Sequence, residues 1–174
     1  MSFTKINWVY VLDSDEEVNV LSFLPQGFHS NYAFEDSSGR RRFEIFANGT
    51  IRVLKNYAWD GCTPKFAIWD LLIGTPDGAP NHHTKHPKTY FASLFHDVMY
   101  QFMDEGSPIT KAAADRIFLH LLTRDNFAPR HVYYWAVSTF GGMFHQITKR
   151  KRKYNGRCIS LAQTPPTAYE VFSR

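Results

Sequence analysis

The chain reads as an α+β protein, with an N-terminal β-hairpin or small antiparallel sheet packed on a three-helix C-terminal core. Three observations predict it. Two alternating runs, residues 42–47 and 50–55, flank Asn48-Gly49. Asn-Gly suits a two-residue hairpin turn because both central residues must take positive φ. Phe91, Leu94, Phe95, Val98 and Phe102 recur at the spacing of one buried helical face. Two more segments, each with a proline near its start, continue as helices to about Arg124 and about Thr148.

Taken in order, residues 8–12 and 18–24 are candidate strands around an acidic turn at 13–17, and residues 30–39 are polar and loop-like. The hairpin follows. Asp60-Gly61 with Pro64 close behind is turn chemistry. Residues 66–73 form either a short helix or a buried run, and residues 74–80, rich in glycine and proline, form a loop. The central helix has Pro87 in its first turn and Gly106 at its end. Ser107 caps the second helix and Pro108 lies in its first turn. Gly141 and Gly142 lie inside the third helix. Each costs about 1 kcal/mol there, so close packing against a neighbour is the expected compensation. Residues 149–174 show no period. At 174 residues the default is one domain, 1–174, with a β-rich part at 1–65, a helical core at 87–148 and a basic tail at 149–174.

Composition excludes several classes. A hydrophobic fraction of 44% and an aromatic fraction of 16% are incompatible with general disorder. Cys62 and Cys158 are too few for a disulfide scaffold. No apolar run reaches the roughly 18 residues of a membrane span. The N-terminus lacks the basic-then-apolar pattern of a signal peptide, so cytoplasmic synthesis is expected. The net charge is +4 and the pI about 9.1. Much of the positive charge sits in two runs, residues 40–42 and 149–153.

The central helix carries the chemistry. His96 and Tyr100 are one turn apart and share a face, while Asp97 points about 100° away. A short connection should pack the first two helices antiparallel, so that His96 and Asp115, each mid-helix, can fall side by side. An aspartate there fixes the histidine tautomer and stabilises the imidazolium. The histidine can then act as general base on water. Asp97 suits a hard cation, helped by carbonyls of a nearby glycine-containing loop. Blander readings stand beside these. The His-Asp network can be a buried tie between helices. Asp60-Gly61 can be only a turn. His82, His83 and His86 fit a solvated loop better than a zinc site, having no cysteine partner. Lys149, Arg150, Lys151, Arg152 and Lys153 suit a helix C-terminus, and also suit anionic phospholipid or nucleic acid. Tyr133, Tyr134, Trp135 and Phe140 are most simply core.

The pattern His96-Asp97-x-x-Tyr100 followed by Asp115 on a second helix resembles the phospholipase A2 superfamily, in particular its prokaryotic and parvoviral branches. The resemblance implies His96 as base, Asp115 as its support, Tyr100 as a hydrogen-bond donor to that aspartate, and Asp97 as a Ca2+ ligand. Asp60-Gly61-Cys62 looks like the Asp-Gly-Cys segment that precedes the catalytic helix in prokaryotic members, so Asp60 and Gly61 join the candidate metal site, with residues 74–78 competing for that role. A wider resemblance spans about residues 43–145: Tyr57-Ala-Trp-Asp-Gly-Cys-Thr-Pro64, the His96-Asp97-x-x-Tyr100 helix, Ala114-Asp115-x-x-Phe118, Tyr134-Trp-Ala-Val137 and Phe140-Gly141. These look like a small family of unknown function common in tailed phages and prophages. It implies a viral origin, in the host cytoplasm or in the virion, with other phage proteins as partners. Three functions are expected in turn: a calcium-dependent lipid or ester hydrolase, a non-catalytic phage structural or accessory protein that keeps the fold, and a metal-dependent phosphohydrolase that uses the His-Asp doublet with loop histidines.

Overall fold

The computed structural model describes residues 10–25, 27–59, 61, 67–68, 71–72, 80–103, 107–151 and 157–161. The elements are β1 (Tyr10–Val11), β2 (Glu16–Asn19), β3 (Asn31–Glu35), β4 (Arg41–Ile45), β5 (Thr50–Val53), β6 (Ala58–Trp59), β7 (Ala67–Ile68), β8 (Leu71–Leu72), α1 (Tyr90–Phe102), α2 (Lys111–Arg124), α3 (Arg130–Lys151) and β9 (Arg157–Leu161). The architecture is α+β, with the helices in the C-terminal half. Five strands form one antiparallel sheet in the order β2-β5-β4-β3-β9, while β1 pairs with β6 and β7 with β8.

The hairpin forms around Asn48-Gly49, but its turn differs from the expected two-residue one. Only Gly49 takes positive φ, +80°, and its N–H donates to the Phe46 carbonyl, so Ala47 and Asn48 are the central residues and Gly49 follows them. A Cβ at Gly49 would collide with the Leu21 side chain, so both backbone sign and space require glycine there. The hairpin register sets Phe43 against Val53 and Ile45 against Ile51, and all four are buried.

Several elements differ from expectation. Residues 30–39 contain β3. Its polar Asn31 and Glu35 hide the alternation, and Glu35 is answered across the sheet by Arg157 of β9, 2.8 Å away. The tail, whose sequence shows no period, supplies that edge strand. The acidic segment 13–17 ends inside β2, where Glu17 pairs with Arg52 on β5. The described part of 66–73 is the β7–β8 pair rather than a helix. Pro87 lies before α1 and bridges to Pro80 instead of entering the first turn. Gly106 is outside the described residues, as are 74–79. Helix α2 is capped by Thr110, whose extended backbone lets its hydroxyl accept from Ala113 N–H at 3.2 Å. Ser107 instead accepts from Ile109 N–H in the preceding turn.

Helix α1 lies between the sheet and α2. On the sheet side, Phe102 meets Phe34 at 5.6 Å and Phe43 at 6.5 Å. Three contacts fix α2 antiparallel to α1: Arg124 over Phe91, Phe118 beside His96, and Asp115 beside Tyr100. No described helix is long and apolar enough to cross a membrane.

Candidate active site

Two hydrogen bonds seat α1 on the β part. Trp59 Nε1–H donates to Ser93 Oγ at 3.1 Å, and Tyr57 O–H donates to Gln101 Oε1 at 2.9 Å. The Ser93 hydroxyl in turn donates to the Tyr90 carbonyl. Trp59 is therefore held one turn before Asp97, and the chain enters the Asp60-Gly61 segment from there. Gly61 is buried with φ +76°, whereas Asp60 lies outside the described residues.

At the α1–α2 contact the expected trio converges. His96 Nε2 lies 3.2 Å from Asp115 Oδ1, and Tyr100 O–H donates to the same oxygen at 2.7 Å. Because an ionised carboxylate only accepts, Nε2 carries a proton, and in the neutral imidazole Nδ1 then holds the lone pair. His96 Nδ1 is 4.0 Å from Asp97 Oδ1. The imidazole also packs on the Tyr100 and Phe118 rings. His96 is 8% exposed and Asp115 3%.

The fourth member was not anticipated. Lys111 Nζ donates to Asp115 Oδ2 at 2.6 Å and to the carbonyls of Ser138 and Val137 on α3, at 2.8 and 3.2 Å. Its i,i+4 spacing to Asp115 was a legible signal, but nothing in the sequence placed α3 beside it. Helix α3 closes the far side. A Cβ at Gly141 would lie 2.5 Å from the Tyr100 hydroxyl, so that glycine provides the close approach expected of it.

Charge follows this geometry. Burial favours a neutral Asp115, but hydrogen bonds from His96, Lys111 and Tyr100 outweigh it and hold the carboxyl below its ordinary range. Burial also opposes an imidazolium at His96. The hydrogen bond to Asp115 and the negative charges of Asp115 and Asp97 prevail, and the pKa is raised. Burial, then the Asp115 carboxylate, push the Tyr100 hydroxyl strongly up, so it remains a donor.

The candidate metal ligands are less assembled. The Asp97 side chain is 38% exposed. Its carboxylate and loop carbonyls are the oxygen donors that calcium prefers. Among the described residues, no three His, Cys, Asp or Glu side chains converge as a metal centre would need. His86 stacks on Tyr90 at 3.9 Å. Trp135, expected in the core, is 59% exposed, and Val132 is 65% exposed.

Comparisons with family models, curated proteins and solved structures find no match.

Two outcomes follow. Gly141→Ala should destabilise the protein by about 1–3 kcal/mol through overpacking against Tyr100, despite the roughly 1 kcal/mol helix-propensity gain; urea unfolding measures the sign. The second concerns pH. A depressed Asp115 pKa contributes stability above the unfolded value of 3.8, which is lost as pH falls through the folded value. A raised His96 pKa contributes below the unfolded value of 6.5, and the contribution is lost as pH rises through the folded value. The stability gap between wild type and Asp115→Asn should therefore be widest between pH 3.8 and 6.5 and narrow on both sides, as measured by denaturation across pH.

Proposed function

We propose that the protein is a lipid or ester hydrolase of phospholipase A2 type, encoded by a phage or prophage, in which His96 is the general base on water. The observation that carries this reading is the oriented dyad: Nε2–H on Asp115, with Nδ1 left as the basic atom. In the reaction Nδ1 takes a proton as water attacks the ester carbonyl. Asp115 stabilises the imidazolium, and Tyr100 holds the Asp115 oxygen that serves His96. The proton then passes to the leaving alkoxide. Calcium, held by Asp97 with carbonyls of the Asp60-Gly61 segment, would supply positive charge for the developing oxyanion.

An anionic phospholipid surface is the proposed partner. Between residues 107 and 161 the only acidic side chains are Asp115 and Asp125. Both are buried, and each pairs with a basic residue of α2, Lys111 and Arg124 respectively. This stretch thus offers no exposed carboxylate to repel anionic headgroups, and it contains Lys149, Arg150, Lys151, Arg152 and Lys153. The exposed Trp135 and Val132 suit the interfacial region of a bilayer. Nucleic acid is the competing polyanion, and other phage proteins are further partners in the same proposal. Action in the host cytoplasm or within the virion belongs to it too.

A second reading is a non-catalytic phage structural or accessory protein. The depth of Asp115 and its three donors favour it, because such a network also ties helices together without chemistry.

The two separate in one assay. Phospholipid vesicles are incubated with wild type or His96→Ala, with calcium or with chelator. The hydrolase reading predicts calcium-dependent release of fatty acid, reduced by about 10²-fold or more in the variant. Equal rates in the two proteins would leave only the second reading.

A further inference from the structure

Lys111 occupies a position that local electrostatics disfavour. It is the first residue of α2, where the helix dipole repels a cation, and it precedes its acidic partner instead of following it. Departures from local rules gather where tertiary structure or function demands them. Here the demand is visible. All three ammonium protons have an acceptor: Asp115 Oδ2, Ser138 O and Val137 O. The carboxylate is divided between its partners, Oδ2 for Lys111 and Oδ1 for His96 and Tyr100. With Oδ2 occupied, Asp115 cannot rotate to offer that oxygen elsewhere without losing a charged bond.

The two α3 carbonyls have a second meaning. In a regular helix the Val137 and Ser138 carbonyls pair with the amides of Gly141 and Gly142. Gly141 is also where α3 meets the Tyr100 hydroxyl. One turn of α3 therefore meets the Asp115 network at two points, through Lys111 and through Tyr100. Lys111 supplies the hydrogen bonds that tie this turn of α3 to Asp115, beside the close approach at Gly141.

We infer that Lys111 is a positioning residue. It locks Asp115 in the orientation that serves His96, and it sets the distance of α3 from the dyad. Lys111 touches neither His96 nor any reacting atom and acts through Asp115. Its kinetic consequence rests on the hydrolase reading; its structural consequence does not.

The test reads the His96 Nε2 proton directly by proton and nitrogen-15 NMR. Wild type should show an imidazole N–H resonance protected from exchange with water. Lys111→Met should lose or broaden it while retaining a dispersed backbone spectrum and cooperative unfolding. Lys111→Arg, which keeps the charge and several donors, should restore it. Lys111→Gln, of similar length but neutral, is read in the same way where Lys111→Met is poorly folded. An unchanged resonance in the neutral variants would overturn the inference. So would failure of both neutral variants to fold where His96→Ala folds, because Lys111 would then determine the fold rather than a side-chain orientation. In the vesicle assay, Lys111→Met should lower kcat by about 10²-fold at similar KM. If wild type shows no turnover the hydrolase reading fails, while the resonance still decides the role of Lys111.

Discussion

A carboxylate taken out of water must be met by donors, and Asp115 is met by three. His96 and Tyr100 reach it from α1, and Lys111 from the first turn of its own helix. An unpaired charge at such depth costs several kcal/mol. The positions of α1 and α2 are therefore coupled to the ionisation of one side chain. Helix α3 joins through the second and third bonds of Lys111 and through the space left at Gly141. The sheet enters from the opposite side of α1, where Trp59 and Tyr57 bond to Ser93 and Gln101. The dyad thus rests on a helix anchored on both flanks, which is what a pre-organised base requires.

Much of this was legible. The hairpin and the three helices follow from Asn48-Gly49 and from apolar spacing, and the meeting of His96 with Asp115 follows from an antiparallel pair with a short link. Hidden parts share a cause: their signals depend on partners remote in sequence. Strand β3 looks like a loop because Glu35 is neutralised by a residue more than a hundred positions later. Strand β9 is unremarkable until β3 offers it an edge. Lys111 looks like an ordinary surface cation at a helix start, because only tertiary structure supplies the carbonyls of Val137 and Ser138. The cap of α2 was misplaced by three residues because Ser107-Pro108 carries the same local signature as a true helix start.

The site combines an ordered His-Asp network with a partly exposed carboxylate, Asp97, beside it. Dyad, supporting tyrosine and lysine are complete among the described residues. The Asp97 carboxylate is partly exposed, and its candidate loop partners include Asp60, which lies outside those residues. A network of this kind serves either a hydrolase or a helical tie. In both cases the coupling between His96 and Asp115 is one of the ties that hold α1 to α2, and a hydrolase adds the use of Nδ1.

That coupling is measured most directly by a double-mutant cycle on stability, with His96→Gln, Asp115→Asn and the double variant unfolded in urea near pH 6. A buried, charge-assisted pair predicts an interaction energy of about 1.5–3 kcal/mol. Additive losses, with an interaction energy near zero, would contradict the account, because the two side chains would then be neighbours that do not hold each other.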